Sequence, residues 1–400
     1  MSPISHRMNR IQETMSSFLA FFNNPLFTQA NQDPHACDFM LGNPHEMPMP
    51  EYVSALQRWS IPQNKDWFAY KMNEEHPRQV LAENLQRTRG LAFHPEDIFL
   101  TTGAFGALAV GLNAILDPGD EVIFISPPWF FYETLIVAAG GTPVRVKIDH
   151  QSFDLNLSAI EAAISPVTRA IIINSPNNPT GKIYPKETLE KLANLLTANS
   201  HRNERPIILI SDESYNRIIF DKQPFYSPAN YYPNTFVVYT YGKTLLAPGQ
   251  RLGYLALAPG MQDVQAMRLA IFTAQFTTAY AIPNALLQHA LPDLEKLSID
   301  IAHLQEKRDR LVTGLQDMGY ELHSPEGTFY LLPRSPLEDD FAFIRLLADQ
   351  HVYCLPGTVC EVPGYFRISI TANDEMIERG LPGFARAIEI TRQGSYVLAS

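Results

Sequence analysis

The chain has 400 residues, of which 46% are hydrophobic and 18% charged. This length and composition indicate a globular protein with a large buried core and about two domains. The formal net charge is -11, which argues against a nucleic-acid partner because a phosphate backbone would be repelled. No apolar run approaches the length of a membrane span, so we expect no membrane partner either.

The number and spacing of the cysteines indicate whether a metal site is present, and the N-terminal segment indicates the cellular location. Cys37, Cys354 and Cys360 are odd in number and lack metal-ligand spacing, so we expect buried free thiols and no metal site. The apolar stretch at residues 18–22 is too short for a signal peptide. We therefore expect a reducing, cytoplasmic location.

The first predicted elements in chain order are isolated helices and one short strand. A helix is predicted over residues 10–22, where apolar residues recur at helical spacing. A strand over residues 38–44 ends in turn residues. Further helices are predicted over residues 50–59 and 77–89.

From residue 98 onward, apolar strands alternate with helices. The predicted strands cover residues 98–102, 121–126, 143–147, 170–174, 206–212, 235–240 and 252–258. The helices between them cover residues 103–116, 132–139, 157–164 and 186–198. This alternation predicts an α/β fold with a mostly parallel central sheet and helices on both faces. Ligands of such sheets bind beyond the carboxyl ends of the strands.

The C-terminal part changes character. Helices are predicted over residues 261–272, 284–291 and 294–318, followed by strands over 328–332, 354–356 and 366–371. A helix over residues 341–349 and a final helix after Asn373 complete a smaller α+β domain. We predict a large domain over residues 45–290 and a small domain formed by residues 1–44 and 291–400.

The segment Tyr239–Arg251 contains a lysine, Lys243, just after a buried strand. Burial disfavours the charge of a lysine and makes its amine a usable nucleophile. A surface lysine in a turn is the alternative. A phosphate loop of the form G-x-x-x-x-G-K-[ST] is excluded, because Val237 stands where its first glycine is required.

Other strand ends carry groups that suit one kind of ligand. The small residues at 101–106 open a helix and would let backbone N–H groups approach a phosphate. Asp212 ends an apolar strand, where a carboxylate is costly unless it pairs with a cation. The polar loop at 174–181 and the aromatic turn at 126–132 fit a ligand site, although turn formation and packing would also explain them. Together with Lys243, these groups predict pyridoxal 5'-phosphate (PLP) as the cofactor.

On these motifs the chain resembles the class I/II aminotransferases, fold-type I PLP enzymes related to aspartate aminotransferase. The resemblance extends from about Gly42 to Arg367. It implies that Lys243 forms a Schiff base with PLP, that Asp212 pairs with the pyridine nitrogen and that Tyr215 and Asn178 bind the phenolic oxygen. It also implies that the remaining contacts to the ring and phosphate come from Trp129, Gly103, Ala104, Phe105, Thr240 and Arg251.

The resemblance further implies a substrate site and a partner. Arg367 would bind the α-carboxylate of the substrate, covered by a loop that contains Gly42 and Asn43, and Asn178 and Trp129 would border the same space. Tyr70 would reach the phosphate of the neighbouring subunit, which implies a homodimer with shared active sites.

Several positions depart from the family pattern. Gly242 stands where many relatives have serine, and Glu75 and Val80 replace a glycine and an arginine of a G-x-P-x-x-R stretch. Phe105 stands where some relatives that use acidic substrates carry a basic residue. Core packing is expected for most of the aromatic residues that would otherwise line an apolar pocket, which are Phe27, Phe39, Phe276, Tyr280 and Phe329.

The resemblance implies an aminotransferase that moves an amino group from an L-amino acid to a 2-oxo acid in ping-pong half-reactions, with Lys243 as general base and acid. A β-lyase, cyclase or synthase on the same scaffold remains the alternative, because the fold does not determine the reaction. A ligand-sensing regulator would need a DNA-binding domain, and residues 1–41 are too short and insufficiently basic to form one.

Overall fold

A computed structural model describes residues 3–149, 151–278 and 282–393. Its strands are β1 (Cys37–Asp38), β2 (Ile98–Thr101), β3 (Glu121–Ser126), β4 (Thr142–Lys147), β5 (Thr168–Asn174), β6 (Ile208–Asp212), β7 (Thr235–Thr240), β8 (Gly253–Leu257), β9 (Tyr330–Leu331), β10 (Val352–Tyr353), β11 (Leu355–Pro356) and β12 (Phe366–Ser369).

The helices of the described ranges are α1 (His6–Thr14), α2 (Ser16–Phe22), α3 (Pro25–Gln32), α4 (Pro50–Trp59), α5 (Glu75–Arg89), α6 (Gly103–Ile115), α7 (Tyr132–Ala138), α8 (Leu157–Ala163), α9 (Lys186–Arg202), α10 (Tyr241–Thr244), α11 (Val264–Thr277), α12 (Ala285–Leu294), α13 (Ile301–Met318), α14 (Asp340–Ala348) and α15 (Asp374–Arg392).

A seven-stranded sheet in the order β2-β8-β7-β6-β5-β3-β4 forms the centre of the molecule. Strands β3 to β7 pair in parallel, and β8 runs antiparallel to both of its neighbours. Alternate residues of a strand face opposite sides, so Ile172 of β5 packs in a core with α6, α7 and α11. Its neighbour Ile173 packs in another core with α8 and α9. The prediction of a mostly parallel sheet covered on both faces is confirmed.

Outside the central sheet, strands and helices from the N-terminal and C-terminal segments pack together. Strands β9, β12 and β11 form an antiparallel sheet, and β1 pairs in parallel with β10. One buried core contains Phe21 and Phe39 from the N-terminal segment together with Phe343, Phe366 and Phe384 from the C-terminal region. The division of the chain at residues 45 and 290 stays a prediction.

Some predicted elements differ from the structure only in their bounds, such as the helix over 261–272 (α11, Val264–Thr277) and the strand over 328–332 (β9, Tyr330–Leu331). Three others differ in the path of the chain. The helix over residues 10–22 is broken between Thr14 and Ser16, where the Thr14 hydroxyl donates to the Ile11 carbonyl at 2.8 Å and competes with the helical pattern. The helix over 294–318 is wrong in about its first two turns, because α13 begins only after Asp300, whose side chain accepts a hydrogen bond from the His303 N–H.

The strand over residues 38–44 is the third difference, since only Cys37–Asp38 are paired. The Asp38 carboxylate accepts a hydrogen bond from the Met40 N–H at 2.9 Å, which turns the chain away from the strand direction. Strand β10 and helix α3 were not predicted.

The described residues hold no helix with the length and apolar character needed to cross a bilayer. They also hold no cluster of three or more His, Cys, Asp or Glu side chains with the arrangement of a metal site. Cys37, Cys354 and Cys360 are buried and free.

Candidate active site

Neighbouring strands of the central sheet bring the candidate residues to one edge. Asn174, at the end of β5, stands in register with Asp212, at the end of β6, and β7 leads directly into the short helix that carries Lys243. A cavity at this edge is lined by Ala104, Phe105, Trp129, Asn174, Asn178, Asp212, Ser214, Tyr215, Thr240, Gly242, Lys243, Pro248 and Arg251. Most of the residues predicted for cofactor binding therefore meet in one place.

Lys243 is half-buried in this cavity. The preceding turn is held in place because the Thr240 hydroxyl oxygen caps α10 and accepts a hydrogen bond from the Gly242 N–H at 3.3 Å. The Lys243 ammonium lies 5.6 Å from the centre of the Tyr215 ring and 5.5 Å from that of Phe329. Two aromatic rings thus border the amine on the inner side of the cavity.

Asp212 is buried and held by neutral donors. Its carboxylate accepts hydrogen bonds from the Tyr132 hydroxyl at 2.6 Å, the Ser214 hydroxyl at 2.5 Å and the Ser214 N–H at 3.1 Å. Burial raises the pKa of Asp212, while these donors and the charge of Lys243 lower it. The arrangement suits a carboxylate that faces a cationic ligand group.

Tyr132 and Ser214 were missed by the sequence reasoning. Tyr132 is buried, and burial beside Asp212 raises its pKa well above the usual range of a phenol, so the hydroxyl stays protonated and can donate. Ser214 follows Asp212 by two residues, a spacing at which a short hydroxyl side chain commonly bonds a carboxylate or the backbone. That spacing was the only available signal, and Tyr132 had been noted only as one of several aromatics in a turn.

The N-terminus of α6 forms a place for an anion. Gly103 has a φ of +78°, and a Cβ atom there would lie 2.9 Å from an Arg251 guanidinium nitrogen and 3.2 Å from the Thr240 hydroxyl oxygen. Arg251 donates to the carbonyls of Pro248 at 2.6 Å and Thr102 at 3.2 Å, which are neutral acceptors. A helix N-terminus and a guanidinium that lacks an ion pair in the described residues together suit a phosphate group.

Gly253 is a second close approach that the sequence reasoning missed. A Cβ atom at Gly253 would lie 2.3 Å from the Tyr239 carbonyl oxygen and 2.8 Å from the Cα of Gly103. Only a glycine therefore lets β8 lie against the start of α6. A glycine at the start of a strand is the one signal of this close approach that can be seen in the sequence.

Arg367 is a buried cation, 2% exposed, that does not line the cavity itself but lies behind Asn178, which does. Its guanidinium donates to the Asn178 side-chain oxygen and to the Met40 carbonyl, each at 3.1 Å, and lies 4.0 Å above the Tyr330 ring. Within the described residues its Nε–H has no hydrogen-bond partner. A buried guanidinium that meets only neutral acceptors fits a carboxylate ligand. Because Arg367 can only donate, Asn178 must turn its oxygen to Arg367 and leave its NH2 group for another partner.

Trp129 and Tyr215 complete the cavity. The Trp129 ring stands edge-on to Phe105, with ring centres 5.2 Å apart. Tyr215 is buried beside Phe329 and Tyr330, and burial raises its pKa well above the ordinary value of a phenol. Both side chains are therefore held by packing before any ligand binds.

The structure does not bring every predicted residue into the cavity. Tyr70 is fully exposed, Asn43 is exposed, and neither lines the cavity. Gly42 lies nearby, because a Cβ atom there would be 2.5 Å from both the Phe329 ring and the Tyr330 hydroxyl oxygen.

Aromatic residues considered for a pocket have different positions. Phe39 and Phe329 are fully buried in the core that joins both ends of the chain, Phe27 packs against that core, and Phe276 is exposed. Tyr280 lies outside the described residues. Among the four of these residues that the structure describes, Phe329 is the one that borders Lys243.

The comparisons with known proteins agree with this geometry. The family profile "Aminotransferase class I and II" matches residues 36–383. The aspartate/prephenate aminotransferase of Thermus thermophilus is 33% identical over 347 residues, which cover 85% of this chain and 88% of the relative. The probable aspartate aminotransferase of Methanocaldococcus jannaschii is 28% identical, with 85% and 90% covered.

Solved structures give the same result. An amino transferase from Eubacterium rectale matches with a TM-score of 0.87 and 28% identity, covering 97% of this chain and 99% of that one. The aspartate aminotransferase from Thermus thermophilus with maleate matches with a TM-score of 0.82 and 27% identity, covering 97% and 100%. The chain belongs to the class I and II aminotransferase family. Members of this family depend on PLP, and the protein is a PLP-dependent aminotransferase.

Proposed function

We propose that the cavity around Lys243 is the active site in which an amino group passes from an L-amino acid to PLP and from there to a 2-oxo acid. One observation carries this assignment. Arg367 is a buried guanidinium whose Nε has no partner in the described residues, and it contacts Asn178, which lines the same cavity as Lys243. A carboxylate binding group thus stands beside a candidate amine nucleophile.

The residues present fit the cofactor. Its phosphate would be held by the α6 N-terminus, including the Ala104 and Phe105 amides, with Thr240 and Arg251, since a side chain at Gly103 would fill that space. The pyridine nitrogen would face Asp212. The phenolic oxygen would meet Asn178 and Tyr215, and Trp129 would cover the ring. When bound, PLP supplies an electron sink for the negative charge that develops at the substrate Cα.

The protein's own groups perform the remaining tasks. Arg367 binds the α-carboxylate of the amino acid and orients its Cα, because a guanidinium offers two parallel donors to a carboxylate. Lys243 would hold the cofactor through its amine, and the freed amine would act as general base and acid, taking the proton from the substrate Cα and giving it up again on the other side of the amino nitrogen. Asp212, whose carboxylate accepts hydrogen bonds from the Tyr132 and Ser214 hydroxyls, would stabilise positive charge opposite it. The loop at Gly42 and Asn43 covers the carboxylate.

The relatives suggest candidate substrates. The Thermus thermophilus relative is named for aspartate and prephenate, and an L-amino acid with a 2-oxo acid is the corresponding pair that we propose for this chain. A β-lyase or related reaction would use the same cofactor contacts, so the products must be measured directly.

We further propose a homodimer with shared active sites. Large apolar side chains are exposed on one side of the chain, among them Phe68, Tyr70, Met72 and Phe276. The Asn73 amide donates to Gln275 at 2.7 Å, so the segment with Tyr70 and the end of α11 are adjacent. A second copy would bury this surface and bring its Tyr70 to the phosphate. A cytoplasmic location also stays a prediction.

The assay uses the purified protein loaded with PLP and a panel of L-amino acids. We expect a 2-oxo acid and pyridoxamine phosphate in equal amounts, and loss of both in Lys243→Ala. Lys191→Ala is the matched control, because Lys191 is exposed and pairs with Glu187 away from the cavity. Release of ammonia or of a side-chain fragment without pyridoxamine phosphate would exclude transamination.

A further inference from the structure

An N-terminal helix reaches the aromatic turn after β3. The Phe18 ring of α2 lies with its centre 5.0 Å from that of Phe130 and 5.0 Å from that of Phe131. The helix before it is tied to the same place, because the Thr14 and Thr134 hydroxyls share a hydrogen bond of 2.9 Å. Residues far apart in sequence therefore build one aromatic surface.

This surface continues to the active-site cavity, which Phe105 and Trp129 line while Phe18 and Phe131 pack behind them. The Phe105 ring lies 5.3 Å from Phe131 and 5.2 Å from Trp129, and those two rings are 5.2 Å apart. Phe105 keeps 38% of its surface exposed although it is large and apolar, and it lines the cavity. We call Phe18, Phe105, Trp129 and Phe131 the aromatic wall.

Each of the cations named at the cavity already has a binding partner in the proposed function. Arg251 serves the phosphate, Lys243 the amino group and Arg367 the α-carboxylate in the proposed function. The aromatic wall carries no charged side chain. Arg145, which lies near its outer side, is engaged by Glu133 and Glu361.

A second carboxylate at the aromatic wall would lose its hydration without meeting a cation of the described chain, which is unfavourable. An aromatic ring there would find ring edges and faces at the usual packing distances of about 4.5–7 Å.

We propose that the preferred amino donors carry an uncharged aromatic side chain, and that Phe105, held in place by Phe131 and Phe18 behind it, determines this preference. The proposal rests on the proposed function, because it takes the positions of the α-carboxylate and the cofactor from it. It departs from the dicarboxylic donor that the names of the relatives suggest.

Binding of unreactive ligands tests the proposal without turnover. The PLP-loaded protein is titrated with 3-phenylpropanoate and with succinate, and the shift of the cofactor absorption band gives the dissociation constants. We expect 3-phenylpropanoate to bind at least about tenfold more tightly, the effect of roughly one or two aromatic contacts. Equal binding, or tighter binding of succinate, would overturn the proposal.

Variants of α2 distinguish a specific effect of the aromatic wall on ligand binding from a general loss of stability. Phe18→Ala should weaken 3-phenylpropanoate about fivefold or more and leave succinate within about twofold. Leu19→Ala is the matched control, since Leu19 is the next residue of the same helix and is exposed, and it should change neither constant. Equal weakening of both ligands in Phe18→Ala would contradict the proposal, and Phe18→Leu repeats the test if the alanine variant does not fold.

A gain of function completes the test. Phe105→Lys places a cation at the aromatic wall and keeps the backbone amide, so the ratio of kcat/KM for aspartate to that for phenylalanine should rise at least about tenfold. An unchanged ratio would contradict the placement of the substrate side chain against Phe105. If no amino acid yields pyridoxamine phosphate, the proposed function fails. If transamination occurs with aspartate preferred, only the aromatic preference fails.

Discussion

Tyr132→Phe removes one hydroxyl group and tests how Asp212 is kept ionised. The phenol donates to the Asp212 carboxylate at 2.6 Å in a fully buried setting. A hydrogen bond to a charged acceptor contributes about 1.5–3 kcal/mol, and one pKa unit corresponds to about 1.4 kcal/mol. Burial already raises the pKa of Asp212, and the Tyr132 hydroxyl opposes that shift. Its loss should therefore raise the pKa of Asp212 further.

The assay is the pH dependence of kcat/KM. Asp212 must be ionised to stabilise the cationic pyridine, so the acid limb of the profile should move to higher pH by about one unit in Tyr132→Phe, with about a tenfold loss below that limb. Tyr232→Phe is the matched control, because Tyr232 is a buried tyrosine whose hydroxyl donates to the Ile207 carbonyl at 2.7 Å, before the start of β6 and far from its carboxyl end. An unmoved acid limb in Tyr132→Phe would refute the argument.

Three further changes test other parts of the chain. Gly103→Ala should speed PLP release at least about tenfold, because its Cβ would enter the phosphate space, whereas Gly119→Ala has a similar positive φ with nothing within 4 Å and should lose only about 1 kcal/mol of stability. Arg367→Lys should lower kcat/KM for amino acids about a hundredfold, and less for an amine without a carboxylate, since the two-donor contact is lost. Arg205→Met removes the donors at 2.6 and 2.9 Å that lower the pKa of Asp120, so the free energy of unfolding should fall by about 1 kcal/mol near neutral pH. Because the folded-state pKa of Asp120 lies below its unfolded value, that difference should begin to shrink below a pH of about 4 and vanish as the pH falls through the lowered pKa.

The strand ends were the predictable part of the site. Apolar runs with no polar interruption can only be buried strands or helices, and their ends are marked by the first polar residue. Strands β3 and β7 therefore have the predicted bounds, and Asp212 and Lys243 follow their strands as expected. The same reasoning failed where a hydrogen bond of the folded chain decides the path, as at Asp38 and Asp300.

Contacts between segments that are distant along the chain could not be predicted from the sequence. Nothing local in Phe18 shows that α2 packs on the turn with Phe131, since an apolar helical stripe fits any core. The local sequence around Tyr132 does not reveal its role either, because its hydroxyl reaches Asp212 through the order β3-β5-β6 of neighbouring strands in the sheet. The tertiary structure therefore determines which residue of the aromatic turn donates a hydrogen bond to Asp212, which belongs to the aromatic wall and which only packs in the core.

Among the described residues the Arg367 guanidinium donates only to neutral acceptors, so we expect its buried charge to favour carboxylate binding and to lower the stability of the chain. Asn178 allows a test. The Asn178 side-chain oxygen lies 3.1 Å from the Arg367 guanidinium, so Asn178→Asp would supply the missing carboxylate from within the chain. We expect the free energy of unfolding of the cofactor-free protein to rise by about 1–2 kcal/mol. Binding of succinate and 3-phenylpropanoate to the PLP-loaded form should weaken at least about tenfold.

Asn177→Asp is the matched control for this change. Asn177 is also buried, but its side-chain oxygen accepts from Thr180 rather than from a cation, so a charge there should destabilise the chain. If Asn178→Asp instead lowers the stability of the cofactor-free protein, the Arg367 charge is already compensated. The proposed carboxylate site would then lose its physical basis, because a compensated guanidinium has little to gain from a substrate.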